Sequence, residues 1–258
     1  MVGRWIAALL ITGAVATAAP APPLIWTSTT RHVVLRLTLP IMILRAPVLH
    51  NQLYREERQA MAAYAKDVKE AYSDDAPSTV FRRYATYYAG VDTPRLLSLS
   101  GVVSVKQDGD RTFTTVKGIV FDKTLGTRLS PLDLVQPGAY LRVLDKAVCD
   151  AARVAKQTPD GEWVEKDDPN FRCPTWRGLV GDNGKLLPQP VQFTLAGGDV
   201  PGKAAGLIFF YSEYEIGDYA DGAYEAIVPL SAFQRFLKPA YASVFGGDHP
   251  KPAKPLFK

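Results

Sequence analysis

The spacing of hydrophobic positions changes within the first third of the chain. Between His32 and Leu44, large apolar residues alternate with polar or charged ones, which predicts a β-strand. From Leu49 to Tyr72, apolar residues recur every three or four positions and charged residues fill the gaps. That period is typical of an amphipathic helix, so we expect a helix with one face on a core.

A group of strands follows this helix. Alternating patterns predict strands over Thr79–Tyr88, Leu96–Lys106 and Arg111–Asp122. Asp108-Gly109 separates the last two strands and is a residue pair typical of tight hairpin turns, so we expect these strands to pair antiparallel. The serines of Ser98–Ser104 fall opposite the apolar residues of their strand, and we interpret them as a solvent-facing row.

The second half of the chain again mixes helices and strands. Ser130 and Asp133 flank Pro131-Leu132 in a helix-start sequence, where the two polar residues can cap each other. The remaining predictions are a helix over Tyr140–Ala155, strands over Val191–Leu195, Gly206–Ser212 and Tyr224–Val228, and a closing helix over Pro229–Leu237.

The strands are grouped in this order rather than alternating one by one with helices. Such grouping favours an α+β fold, in which helices pack on one face of a mostly antiparallel sheet. We divide the chain into an N-terminal strand-helix-hairpin half over residues 19–128 and a C-terminal half over residues 129–245. Residues 246–258 are rich in Pro and Lys, and we interpret them as a disordered tail.

Composition excludes several classes of function. The 258 residues are 47% hydrophobic and 22% charged, with a formal charge of +4, as is typical of a globular protein. So small a charge gives no reason to expect nucleic acid as a partner. The three His and two Cys are too few and too scattered to predict a zinc site, and we expect no cofactor.

The N-terminus has the pattern of an export signal. Arg4 precedes the uncharged apolar run Trp5–Thr17, and Ala16-Thr17-Ala18 is a small-x-small cleavage motif. The run has 13 residues, fewer than the roughly 20 that a membrane-spanning helix needs. We therefore predict a cleaved signal peptide over residues 1–18, with a retained anchor as the alternative. The mature chain is expected to be periplasmic or secreted, without a membrane span.

The two cysteines, Cys149 and Cys173, agree with export. Two cysteines in an oxidising compartment usually form a disulfide. Their bridge would close a loop of about 25 residues and stabilise the fold by about 3 kcal/mol. We therefore predict a disulfide rather than a catalytic thiol.

Motifs of known catalytic sites are not matched convincingly. Gly197–Lys203 has the spacing of a phosphate-binding loop, but Ala204 follows where Ser or Thr would hold a metal. Pro201 also removes a backbone amide that the phosphates would need. We interpret this segment as a hairpin loop. No G-x-S-x-G nucleophile elbow occurs in the sequence, and we do not expect an enzyme.

The densest cluster of functional side chains runs from Tyr211 to Glu225 and holds four Tyr, three Glu and two Asp in fifteen residues. Three functional interpretations stay open: a cation site, a carboxylate pair for glycoside chemistry, or an aromatic and acidic recognition surface. In a structural interpretation, the glycines form turns, the tyrosine rings cover a sheet edge and the acids are solvated. From the residues alone we favour the structural interpretation.

This segment also resembles the hallmark of a known family. Gly206–Leu237 reads GLIFFYSEYEIGDYADGAYEAIVPLSAFQRFL. It is similar to the ending of the extracytoplasmic domain family found in RsiV-type anti-sigma factors and beside the catalytic domain of PdaC-type peptidoglycan deacetylases, the DUF3298/DUF4163-type module. That ending has a GL-x-F-x-F strand, a YEIGxYAxG motif and P-x-S-x-L/F before the last helix. Upstream, Thr127–Leu134 resembles the family's G-x-x-L-x-L-x-D-L turn, and His32–Tyr72 resembles its N-terminal half.

The resemblance implies a two-part α+β module with a non-catalytic binding or sensor function. The implied ligand is a protein such as lysozyme, or peptidoglycan. The alternative is a cell-envelope hydrolase that acts on peptidoglycan or another glycan through Glu213, Glu215, Asp218 or Asp221. The candidate binding and signature residues are Tyr211, Glu213, Tyr214, Glu215, Gly217, Tyr219 and Gly222.

Overall fold

The strands of the described chain form two β-sheets, one of six strands and one of three. The structure is a computed structural model that describes residues 21–72, 80–106, 112–138, 141–156, 171–181, 183–213, 215–216 and 223–253. The predicted signal peptide and the Asp108-Gly109 turn lie outside these residues.

The first sheet follows chain order, β1-β2-β3-β4-β5-β6. Strands β2 and β3 are parallel, and every other neighbouring pair is antiparallel. A parallel pair needs a crossover connection, and the long helix α1 (Pro47–Ala71) lies in that connection. The strands are β1 (Ile25–Thr29), β2 (Val33–Thr38), β3 (Phe81–Asp92), β4 (Leu96–Lys106), β5 (Thr112–Asp122) and β6 (Thr127–Arg128).

The first predicted strand is shorter than its apolar pattern suggested. β2 ends at Thr38, and Ile41–Arg45 forms a turn of 3-10 helix instead. The physical reason is Pro40, which has no amide to continue the strand ladder. β1 was not predicted from the sequence; it pairs with β2 and forms the outer edge of the sheet.

Helix α1 covers one face of the first sheet, as its amphipathic pattern predicted. The helix residues Leu49, Leu53 and Met61 are at most 1% exposed. They share a core with the inward-facing residues of β2 to β5, among them Leu37 and Leu99. Burial of this face, rather than helix propensity alone, holds a 25-residue helix in place.

The second sheet has the order β7-β8-β9 and is antiparallel throughout. Its strands are β7 (Phe193–Gly197), β8 (Ala204–Tyr211) and β9 (Tyr224–Pro229), and the amphipathic helix α3 (Leu141–Ala155) packs against β9. The loop between β7 and β8 is the segment that mimics a phosphate-binding loop, so its interpretation as a hairpin loop is confirmed.

Three short helices complete this half. α2 (Pro131–Leu134) begins at the predicted cap, where Ser130 N donates to Asp133 Oδ2 at 2.7 Å. The predicted closing helix is broken: α4 (Leu230–Phe233) is followed by a 3-10 turn, and α5 (Pro239–Ala242) was not predicted.

The predicted disulfide between Cys149 and Cys173 is confirmed. It ties α3 to the segment that carries Trp176, a fully buried residue. The Trp176 ring lies 5.4 Å from the Phe209 ring and 5.5 Å from the Phe233 ring, measured between centroids. Trp176 N also donates to Asp145 Oδ1 of α3 at 2.9 Å. The disulfide, this hydrogen bond and the aromatic cluster together fix the segment.

The expectation of a solvent-facing serine row was wrong for two of its members. Ser98 is fully buried and Ser100 is 3% exposed, because the second sheet packs on the face of the first sheet opposite α1. The hydroxyl of Ser98 is used internally: it accepts Val91 N at 2.8 Å and donates to Val91 O at 3.2 Å. These bonds stabilise the irregular register of β3 between Ala89 and Asp92.

The predicted α+β class is confirmed, with a second sheet where only helices were expected to pack.

The segment after Gly246, expected to be a solvated tail, contacts this second sheet. Lys251 N donates to Gly197 O at 2.8 Å, and Ala253 N donates to Glu225 Oε2 at 3.1 Å. Residues 254–258 lie outside the described residues.

Candidate functional site

The segment that resembles the family hallmark begins at the end of β8. Of the seven candidate residues, the structure describes Tyr211, Glu213 and Glu215. Tyr214, Gly217, Tyr219 and Gly222 lie outside the described residues, as do the acids Asp218 and Asp221.

Glu215 closes a turn on its own backbone. Its Oε2 accepts Ser212 N at 2.6 Å, while Glu215 N donates to Ser212 O at 3.1 Å. Burial raises the pKa of Glu215, and the bond from Ser212 N opposes that shift only in part. The carboxylate therefore shapes the turn after β8. Glu213 lies within this turn and is half-buried.

Tyr211 is the last residue of β8 and is 4% exposed. Burial and the nearby Glu215 carboxylate both raise the pKa of its phenol, so it stays neutral. Its hydroxyl has no hydrogen-bond partner among the described residues. A cavity of about 20 Å³ lies here, lined by Tyr211, Glu215 and Gln192 among others. That volume is enough for about one water molecule and far too small for a sugar ring.

The same segment is fixed to the part of β5 that pairs with no strand on its outer side. Val116 N donates to Ser212 Oγ at 3.1 Å, and Gly118 N donates to Gln192 Oε1 at 3.2 Å. β6 pairs with β5 only at Phe121 and Asp122, so these side chains satisfy amides that the sheet leaves open. Ser212 of the candidate segment and Gln192, which directly precedes β7, thus join the second sheet to β5.

Sequence reasoning missed a buried cluster of charges beneath α1. Glu57 is 1% exposed and lies in the hydrophobic face of the helix, four residues from both Leu53 and Met61. Its Oε1 accepts Lys117 Nζ at 2.6 Å and Tyr87 Oη at 2.7 Å, and its Oε2 accepts Arg83 Nη2 at 3.1 Å. The usable signal was a carboxylate at a position that the helical period assigns to the core.

The electrostatics of this cluster favour the ionised carboxylate. Burial alone would raise the pKa of Glu57, but Lys117, Tyr87 and Arg83 outweigh it and hold the pKa below its usual value. Burial and the neighbouring Glu57 carboxylate raise the pKa of Tyr87 well above its usual value. The cluster is therefore a carboxylate held by two cations and a neutral phenol, a structural arrangement that links α1 to β3 and β5.

No metal-ligand cluster was found in the part of the chain that the structure describes: no group of three or more His, Cys, Asp or Glu is placed to hold an ion. Among the helices of that same part, none combines the length and the apolar character needed to cross a membrane.

These features define an α+β domain in which a helix covers one face of a mixed sheet and a smaller antiparallel sheet packs on the other. Solved proteins of the DUF3298 family have this fold, and the resemblance noted in the sequence is confirmed at the level of the fold. No protein-family model and no curated protein matches the sequence.

Two solved structures give the extent of the similarity. A DUF3298 family member from Bacteroides fragilis NCTC 9343 has a TM-score of 0.53 and 13% identity, covering 84% of this chain and 92% of that one. A DUF3298 family protein from Pseudomonas aeruginosa PAO1 has a TM-score of 0.55 and 16% identity, covering 89% of this chain and 98% of that one.

Proposed function

We propose that this chain is a non-catalytic recognition domain of the cell envelope, whose ligand is a protein such as lysozyme, or peptidoglycan. The observation that carries the proposal is the use of Glu215, whose carboxylate accepts Ser212 N at 2.6 Å. An acid that serves as a backbone cap in a cavity of about 20 Å³ is suited to shaping a surface loop rather than to attacking a substrate.

Two features typical of exported proteins also support the proposal. The Cys149–Cys173 disulfide is typical of proteins that fold in oxidising compartments. The sequence has a signal-peptide pattern before residue 19, and both features agree with a site of action outside the cytoplasm.

The acidic and aromatic character of the candidate segment supports a protein ligand in particular. Three Glu and two Asp lie between Tyr211 and Glu225, with no Lys or Arg among them. Glu215 caps its own turn and Glu225 is largely buried, so complementarity to a basic protein surface rests on Glu213, Asp218 and Asp221. Tyr211 and Tyr224 are buried, and the tyrosines proposed to supply rigid contact area are Tyr214 and Tyr219. The bond from Val116 N of β5 to Ser212 Oγ gives this segment a fixed base.

Binding of the chain over residues 19–258 to a basic lysozyme, with purified peptidoglycan sacculi in parallel, tests the proposal. We expect saturable binding to one of the two and a marked loss of lysozyme binding at high salt. A Glu213→Lys variant should weaken lysozyme binding, since Glu213 lies in the candidate segment. Glu56→Lys, which changes the charge by the same amount on helix α1, is the matched control.

The runner-up is the envelope hydrolase, favoured by one observation: burial raises the pKa of Glu215, as in a general acid. It predicts turnover of muropeptides or glycans that is lost in Glu215→Gln. A folded wild-type chain that releases product, and a folded Glu215→Gln variant that does not, would replace the recognition proposal. Absence of saturable binding to both probes would also overturn it.

A further inference from the structure

A sizeable cavity shares no lining residue with the candidate segment. It has a volume of about 400 Å³ and lies between the β1–β2 edge of the first sheet and the last turns of α1. This size falls within the range of roughly 300 to 1,000 Å³ that is usual for small-molecule sites. The residues that line it belong to the N-terminal half of the chain.

The cavity exists because small side chains meet where the core would need large ones. Ser28 on β1 and Ala65 on α1 both line it. Two residues before Ser28 on β1, Trp26 fills the corresponding space. The Arg58 guanidinium lies 3.5 Å from the centre of the Trp26 ring. Protein interiors are otherwise close-packed, so an unfilled volume of this size marks a place for a ligand.

The floor of the cavity is apolar. Val33 and Leu35 contribute from β2, Val68 from α1 and Phe81 from the start of β3. Each of these four side chains is at most 7% exposed, so the floor is part of the core of the first sheet. An aliphatic chain is the group that such a floor would accept.

The rim of the cavity is basic. Arg31 and His32 contribute from the β1–β2 turn and Lys69 from the last turn of α1, and none of the described residues that line the cavity is acidic. The nearest acid in sequence to Lys69 is Glu70, which pairs with Lys66 at 3.5 Å. The chemistry of the rim therefore selects a negative charge.

The turn that carries Arg31 and His32 is held in place by backbone bonds. Thr30 N donates to Val33 O at 2.9 Å, and Val33 N donates to Thr30 Oγ1 at 3.1 Å. Phe81 N donates to His32 O at 2.8 Å, which ties the turn to β3. A preorganised turn presents the Arg31 and His32 side chains without an ordering cost at the moment of binding.

We propose that this cavity binds a single-chain aliphatic carboxylate of the fatty-acid class, with its tail on the apolar floor and its head at Arg31 and His32. The head belongs at the end where the basic side chains lie. The C-terminus of α1 is at that same end, because Phe81 N donates to His32 O and the Tyr72 ring lies 4.6 Å from the Phe81 ring. The helix dipole there repels an anion. Lys69 lies at that end and offsets the repulsion. The site is independent of the proposed recognition function.

Titration of the chain over residues 19–258 with dodecanoate below its micelle concentration tests the proposal. We expect saturable binding of one molecule per chain by isothermal titration calorimetry. Arg31→Gln should weaken binding by about tenfold, the effect of losing one charge-assisted hydrogen bond. Arg36→Gln is the matched control, because Arg36 lies on the face of β2 that points away from the cavity. The affinity of this variant for dodecanoate should stay within about twofold of wild type.

A second variant blocks the space rather than the charge. Ala65→Phe places a ring in the cavity and should abolish dodecanoate binding while lysozyme or sacculus binding is retained. If Ala65→Phe loses its cooperative thermal transition, Ser28→Val fills the opposite wall on an exposed edge strand and serves the same purpose.

Three results would overturn the proposal. One is the absence of saturable dodecanoate binding to the folded chain. Another is equal affinity for dodecanol, which would remove the role of the basic rim. The third is binding only to phosphatidylglycerol vesicles and not to free dodecanoate, which would make the surface a membrane contact. Loss of lysozyme and sacculus binding alone would leave this site unaffected.

Discussion

The backbone of Phe193 occupies the space that a side chain at Gly118 would need. A Cβ at position 118 would lie 2.4 Å from the Phe193 nitrogen and 2.5 Å from its carbonyl carbon and oxygen. β5 and β7 therefore meet backbone to backbone at this point, and the two sheets approach as closely as they do because position 118 has no side chain.

Gly118→Ala should accordingly separate the sheets. We expect a loss of about 2 to 4 kcal/mol in the free energy of unfolding, at or above the usual cost of overpacking, because the atoms in the way are backbone. Gly197→Ala is the matched control: its Cβ would meet only Val91 Cγ2 at 3.7 Å, an ordinary contact. Urea denaturation of both variants measures the difference, and equal stabilities would contradict the close approach.

Glu57→Gln should destabilise the fold by about 3 kcal/mol, because it leaves Lys117 and Arg83 without their carboxylate in a buried site. Glu56→Gln, one residue earlier, breaks only the half-exposed pair with Arg128 and should cost less than about 1 kcal/mol. Chemical denaturation at neutral pH checks both. A Glu57→Gln variant as stable as Glu56→Gln would show that the buried cluster adds nothing.

The same cluster predicts a pH dependence. The pKa of Glu57 is lowered in the folded protein from its usual 4.5. Between the folded and unfolded values the unfolded chain binds the extra proton, so the stabilisation is complete above about 4.5 and is lost as the pH falls through the folded value. The wild-type protein should lose stability in this acidic window more steeply than Glu57→Gln. Parallel acid profiles would be inconsistent with the ionised cluster.

Glu225 should give a pH dependence of stability opposite to that of Glu57. Burial raises its pKa to about 7, although the bond from Ala253 N works against the shift. The folded protein keeps this proton between 4.5 and about 7 while the unfolded chain releases it, so stability falls as the pH rises through that window. Glu225→Gln should flatten this part of the profile of melting temperature against pH, and Glu213→Gln should leave it unchanged. A slope that persists in Glu225→Gln would assign the titration to another group.

Removal of the disulfide should weaken the attachment of the Trp176 segment to α3. The bridge joins residues separated by 24 positions, and a loop of that length corresponds to about 3 kcal/mol. The double variant Cys149→Ser/Cys173→Ser should lose this amount, and reduction of the wild-type protein should reproduce it. A reducing agent should leave the melting temperature of the double variant unchanged, which controls for effects unrelated to the bridge.

Much of the local structure followed from periodicity. β4 was predicted from Leu96 to Lys106 and has those bounds, because its apolar face alternates cleanly against α1. The pairing of Cys149 with Cys173 was also predictable, since the chain has two cysteines and each has one possible intramolecular partner. The break at Thr38 was missed because the apolar pattern continued beyond it, although Pro40 carried the signal.

The sequence likewise predicted only part of the candidate site. The sequence drew attention to Tyr211 and Glu215 through their chemistry, but not to the turn bond between Glu215 and Ser212 or to the burial of the Tyr211 phenol. Glu57 was hidden among the charged positions of α1. Its partners Arg83 and Lys117 lie 26 and 60 residues away, and such distances in sequence leave no local pattern.

The amino-acid sequence by itself therefore determined the α+β class, the long helix, the central hairpin strands and the disulfide, because each depends on local period, turn chemistry or cysteine count. Only the tertiary structure decided that the face of the first sheet opposite α1 is buried as well. Ser98 has the residue type of a solvated strand face, yet the second sheet covers it. Contacts between sheets depend on residues far apart in sequence, such as Gly118 and Phe193, so their effect on burial arises only when the chain is folded.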